Sequence, residues 1–188
     1  MVSWPRRATQ HPKPTLSRTD LDRLGLTRQD RVLAVLESPS SELRLVITQH
    51  QLVLLPDAGT PVARPWHLVD RGSWSREDEA LTVTWVDGPE PWRFVLPQPD
   101  PTALAALRER VQASVITHHD VKVAHGRGSV RVVVRQELAT REVLVQTLYG
   151  QGVPAGDHVV QRAVAAATAE LRDAVGLPPE EWGLPPEE

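Results

Sequence analysis

The side chains with the capacity to bind a metal or move a proton gather at His118, His119, Asp120 and His125. Imidazole and carboxylate are ordinary metal ligands, but three or four must converge on one point. Along an extended stretch His118 and Asp120 share a face and His119 lies on the other. That spacing brings two groups together, so a polar patch is expected, with no metal and no cofactor. Arg131 and Arg135 share a strand face with Val133. His118, His119, Arg131 and Arg135 thus form a candidate polar cluster where two halves of the chain meet.

Three further patterns resemble chemical sites and lack their settings. Gly126-Arg127-Gly128-Ser129 has glycines like a phosphate-cradling loop, but neither the lysine nor the strand–loop–helix context. It reads as a hairpin turn. Glu77-Asp78-Glu79 could do acid–base work in a cleft, yet it precedes a strand where a solvated turn is expected. No serine stands in a nucleophile elbow, and there is no cysteine nucleophile. The expected function is therefore non-catalytic. The alternatives are a small-molecule or enzymatic site at the seam between the two halves, or weak lipid or nucleic-acid contact, the latter through the Arg-rich N-terminal arm.

Six tryptophans accompany one phenylalanine and one tyrosine. Trp66, Trp74, Trp85 and Trp92 fall in a strand-rich region, where they supply bulk to a core otherwise built from Val, Leu and Ala. Trp85 and Trp92 flank a hairpin and can pair across it. As amphipathic anchors, Trp66, Trp92 and Trp182 are candidate contacts for a protein partner.

The elements that must position these residues are legible. Residues 31–114 read as short strands ending in one helix. Strands are expected at 31–37, 43–48, 52–55, 81–86 and 92–96, with weaker extended segments at 66–69 and 72–74. Leu43, Leu45 and Ile47 alternate with Arg44, Val46 and Thr48 as in a half-buried strand. Asp100 is a good N-cap and Pro101 suits the first helical position. Leu104, Leu107, Val111 and Val115 then form an apolar stripe. Residues 115–176 repeat the theme on a smaller scale. An extended stretch from Val115 to Val123, broken at 118–120, is followed by strands at 130–135 and 143–148. Asp157 caps a second helix with Val160, Val164, Ala167, Leu171 and Val175 on one stripe, and Gly176 ends it. This small strand–strand–strand–helix unit must pack on the first or on a second copy. Residues 1–30 are expected to be a flexible arm, with a short helical turn after Ser17 or Thr19 that ends at Gly25. Residues 177–188 are expected to be a disordered acidic tail in which Gly-Leu-Pro-Pro-Glu-Glu occurs twice around Trp182.

Composition excludes several classes. At 188 residues with 40% hydrophobic and 24% charged content, the chain can bury a real core. The absence of cysteine rules out disulfides and thiolate metal sites and fits a reducing compartment. No apolar stretch is long enough to span a membrane, and no apolar core follows the basic N-terminus, so a cytoplasmic protein is expected. A net charge of −3, without a basic block, does not favour nucleic acid.

Residues 31–114 resemble the pleckstrin-homology-like fold in its bacterial, GRAM-like form. Leu45-Val46-Ile47-Thr48-Gln49-His50-Gln51-Leu52-Val53-Leu54 resembles the paired second and third strands of that fold. Pro65-Trp66-His67-Leu68-Val69 resembles the next short strand, and Asp87-Gly88 with Phe94 resembles the hairpin before the closing helix. The whole chain, including residues 110–115 and 130–135, is similar to a family of uncharacterised actinobacterial proteins, which supplies no activity. The resemblance implies an α+β fold: an antiparallel, partly open barrel or curved sheet capped by a helix, followed by the small unit. It also implies binding of lipid head groups, peptides or proteins. Lipid-binding members carry basic residues between the first two strands, whereas Glu37-Ser38-Pro39-Ser40-Ser41-Glu42 is acidic at both ends. Phospholipid is therefore disfavoured, and a protein partner or homo-oligomer is expected.

Overall fold

A computed structural model describes residues 16–26, 30–39, 41–122 and 128–178. Among them, ten strands form three antiparallel sheets with three α-helices and no closed barrel. The class is α+β, with curved sheets and a capping helix.

The first sheet has the order β1 (Val32–Glu37), β2 (Leu43–Thr48), β3 (Gln51–Pro56), β4 (Val62–Pro65). Thr48 closes the β2–β3 turn: its Oγ1 accepts from the Gln51 amide at 3.0 Å and donates to the Gln51 carbonyl at 2.8 Å. The second sheet is β5 (Val69–Ser75), β6 (Ala80–Trp85) and β7 (Trp92–Val95). Between the two sheets, Trp66–Leu68 form a 3-10 turn, where an extended segment was expected. Proline at 65 precedes the turn, and the Trp66 indole is fully buried with its Nε1 donating to the Thr48 carbonyl at 3.1 Å. The pull of that side chain into the core turns the backbone out of the strand.

Helix α2 (Pro101–Ser114) closes this unit. Asp100 accepts from the Thr102 amide at 2.8 Å, as its cap position requires. Ala103 and Leu107 are its most buried apolar positions, and they pack into a core with Leu45, Ile47, Leu52, Trp66, Val83 and Phe94. The helix sits close to β5 because Gly72 has no side chain: a Cβ there would lie 2.5 Å from Leu107 Cδ2. Val115 caps the helix and begins the next strand.

The β2 strand is not half-buried. Val46 and Thr48 are as inaccessible as Leu45 and Ile47. The reason lies within the segment expected to be an arm. Helix α1 (Arg18–Leu24) starts at a Ser17–Asp20 capping box and ends at Gly25 in the left-handed region (φ 59°). Its Leu24 joins Val35, Val46, Val53 and Leu55 in a second core, on the other face of the first sheet. Residues 18–24 are thus a docked helix rather than part of a flexible arm. Each apolar side chain buried there contributes about 1.5–3 kcal/mol, enough to seat a helix too short to stand alone.

The third sheet has the order β10 (Val143–Tyr149), β9 (Ser129–Gln136), β8 (Val115–Lys122). The β8 strand runs unbroken through His118, His119 and Asp120. Helix α3 (His158–Ala174) covers one face, and Val130, Val132 and Val134 meet Val160, Val164, Ala167 and Leu171 in a separate core. Asp157 caps α3 by accepting from the Val159 amide at 2.7 Å.

Candidate functional site

The seam between the first unit and the third sheet holds two buried polar side chains, Arg135 and Ser114, in contact with each other. The side chain of Arg135 points inward from β9 and is 3% exposed. Its Nη1 donates to the Val69 carbonyl at 2.8 Å and to Ser114 Oγ at 3.2 Å. Val69 follows the 3-10 turn and borders a bulge in the β5–β6 ladder, so the guanidinium ties an irregular corner to the end of α2. Arg135 Nε has no hydrogen-bond partner among the described residues. Burial lowers the guanidinium pKa, partly opposed by the negative charge of Asp70.

Two neighbours share this environment. Gln146 Nε2 on β10 donates to the His67 carbonyl at 3.0 Å, and its Oε1 is buried without a partner. Burial also lowers the pKa of His67, with Arg135 reinforcing the shift and Glu137, Glu142 and Asp87 opposing it. A neutral imidazole beside a buried cation is the arrangement that costs least in low dielectric. The seam is therefore a polar strut between units. Leu138 is the apolar side chain of the second unit that packs onto the first core.

The other members of the expected cluster do not reach it. Arg131 lies four residues from Arg135 along β9, about 13 Å at strand rise. It makes a bidentate pair with Asp120, at 2.6 and 3.0 Å, and both side chains are about half exposed. This partner holds the Asp120 carboxyl below its usual range. His118 is exposed. His119 turns to the other face, with its Nδ1 3.7 Å from Glu170 of α3. Of the four residues, Arg135 alone is at the seam, because strand alternation and length separate the rest. No three His, Asp or Glu side chains among the described residues converge as metal ligands. His125 and Arg127 lie outside the described residues. Glu77, Asp78 and Glu79 occupy an exposed turn.

The tryptophans divide by burial. Trp66 is a core residue and offers no surface to a partner, which corrects its expected contact role. Trp85 and Trp92 do pair, edge to face, with ring centroids 4.6 Å apart. The Arg64 guanidinium stacks 4.4 Å above Trp85 and is also paired with Asp87. Trp92 is partly exposed, and Trp182 lies outside the described residues.

The loop joining β1 and β2 borders an open cleft of about 370 Å³, lined by Glu37, Ser38, Ser41, Glu42, Leu43, Arg44 and Asp57. Its one basic residue is already committed. Arg44 grips Asp20 of α1 through two bonds of 2.8 and 2.9 Å, and its Nη2 is 3.4 Å from Asp57. Sequence reasoning missed Asp20, His67, Ser114 and Gln146 as partners. The Ser17-to-Asp20 spacing carried a capping signal, whereas the contacts of the other three are set by tertiary packing.

Leu21 of α1 and Val159 of α3 are large exposed apolar side chains on helices; the rest among the described residues lie at sheet edges. Among the described strands, the large apolar residues left exposed are Leu33 on β1, Val62 on β4, Ile116 on β8 and Tyr149 on β10. Each of these strands borders its sheet. No protein-family model, no curated protein and no solved structure matches this chain.

Proposed function

We propose that this protein is a non-catalytic module that acts by binding protein, either a partner or further copies of itself. The observation that carries this reading is that large apolar side chains stand exposed on strands bordering their sheets, at Leu33, Val62, Ile116 and Tyr149, and that among the described strands the β10 edge beside Tyr149 has no charge, proline or bulge. An edge strand presents unpaired N–H and C=O groups, and adjacent apolar side chains add burial when another chain pairs there. The succession of a four-stranded sheet, a three-stranded sheet and a closing helix supports the resemblance to pleckstrin-homology-like scaffolds. An anionic lipid head group is disfavoured. The cleft beside the first loop carries Glu37, Glu42 and Asp57, and Arg44 is already neutralised by Asp20. Light scattering over a range of concentrations, together with a pull-down from a native lysate, tests the reading. A mass that rises with concentration, or a partner that saturates, supports it. A strict monomer that enriches no partner overturns it.

A further inference from the structure

Six strands border the three sheets, and five of them carry a feature that discourages pairing. The β1 strand has a bulge and ends in Glu37. The four residues of β4 include Arg64 and Pro65. The β5 strand has a bulge beside Asp70, Arg71 and Gly72. The four-residue β7 contains Arg93. The β8 strand has a bulge and carries His118, His119, Asp120 and Lys122. Natural sheets protect their edges with such charges, prolines, bulges and short lengths. The β10 strand has none of them. Val143-Leu144-Val145-Gln146-Thr147-Leu148-Tyr149 contains no charge, proline or glycine, and it pairs with β9 over seven residues without a slip. Its first six residues are half-buried and Tyr149 is exposed, whereas Val130, Val132, Val133 and Val134 of β9 are buried.

We infer that β10 is a self-association edge: two copies of this chain pair antiparallel along it, joining two three-stranded sheets into one of six strands. This inference rests on the protein-binding reading above and names its surface and partner. The sequence of β10 is close to self-complementary about its centre. With Gln146 opposite its own copy, Val145 faces Thr147, Leu144 faces Leu148 and Val143 faces Tyr149. No charge confronts another, and β-branched and aromatic residues meet across the strands as antiparallel pairs favour. The backbone supports the same register. The Gly150 amide donates to the Ser129 carbonyl at 2.9 Å, so the pair 150–129 is a hydrogen-bonded one. Antiparallel ladders alternate, so Leu144, Gln146 and Leu148 bond to β9. Val143, Val145, Thr147 and Tyr149 turn their N–H and C=O groups to the open edge. In the proposed register these four bond to Tyr149, Thr147, Val145 and Val143 of the second copy. The two-fold axis then passes through a non-hydrogen-bonded Gln146 pair, with both α3 helices on one face.

The absence of cysteine makes a covalent test clean. Opposed residues of a non-hydrogen-bonded pair have Cα atoms about 4.5 Å apart, within disulfide range. Leu144 of one copy and Leu148 of the second oppose each other in such a pair and leave the Gln146–His67 bond intact, so the full chain carrying Leu144→Cys with Leu148→Cys should form a disulfide dimer under mild oxidation, while Ile116→Cys on the β8 edge should not. Thr147→Pro removes an outward N–H, and Thr147→Lys adds a charge to the edge. Each should raise the dimer dissociation constant about tenfold or more in sedimentation equilibrium, with circular dichroism unchanged. Ile116→Lys should leave it unaltered. A dimer indifferent to both Thr147 changes, or a chain with Leu144→Cys and Leu148→Cys that does not cross-link, overturns the β10 assignment and leaves the protein-binding reading standing. A monomer that still enriches a saturable partner does the same. A monomer without any partner overturns both.

Discussion

At the residue scale, the pair of Asp20 and Arg44 shows how one contact fixes an element. Arg44 and the Ser17 cap hold the Asp20 carboxyl well below its usual value, against the opposing effect of burial. Asp20→Asn should lower stability by about 2–3 kcal/mol in urea unfolding, as expected for a hydrogen bond to a charged group. The pH dependence has a definite sign. The folded chain prefers the ionised carboxylate, so this stabilisation is present above about pH 3.8 and is lost as pH falls below it. His67 acts in a higher window. Its pKa is lowered, so the folded state prefers the neutral ring. Stability from this group is full above about pH 6.5 and falls as acid protonates the unfolded chain first, by at most about 1.4 kcal/mol per pH unit. Comparing urea unfolding of His67→Gln with the unsubstituted chain at pH 7.5 and 5.5 should show a shallower loss in the variant.

At the scale of elements, the helices were the most legible and the edges the least. Asp157 and the stripe of Val160, Val164, Ala167 and Leu171 specify α3 before any tertiary contact, and all four stripe residues are buried. Asp157→Ala should cost about 1 kcal/mol, read as a lower thermal midpoint. The seat of α2 depends instead on an absent side chain. Gly72→Ala forces Leu107 aside, and overpacking of this kind costs about 1–3 kcal/mol. Combined with Leu107→Val the loss should be less than additive in a double-mutant cycle, because the smaller side chain yields the space. Nothing local marks Gly72 as a contact, since its partner lies 35 residues away. The same holds for the Trp66–Leu68 turn, where a buried indole overrides an extended reading.

At the scale of the whole molecule, the core around Trp66 and the core beneath α3 share no buried residue. The hydrogen bonds of Arg135 and Gln146 link the two units, Leu138 packs onto the first core, α2 touches β8 and β9, and Val133 is buried on the same face of β9 as Arg135. A polar seam of this kind resembles a transient interface more than a continuous core. Arg135→Met with Gln146→Leu should therefore split one calorimetric unfolding transition into two, while each unit keeps its secondary structure. A single shifted transition would mean that the packing contacts and the covalent link suffice for cooperativity.

The sequence by itself determined the number and kind of most elements, the caps at Asp100 and Asp157, and the α+β class, while it left the first cap open between Ser17 and Thr19. Those signals are local: periodicity, turn chemistry and capping act within a few residues. The tertiary structure decided which apolar strand is covered on both faces, which arginine is buried and which strand edge is left bare. Each of these depends on what arrives from elsewhere in the chain. Val46 reads as the outer face of a strand until α1 lands on it. Arg131 and Arg135 look equivalent until the corner at Val69 buries one and leaves the other to Asp120.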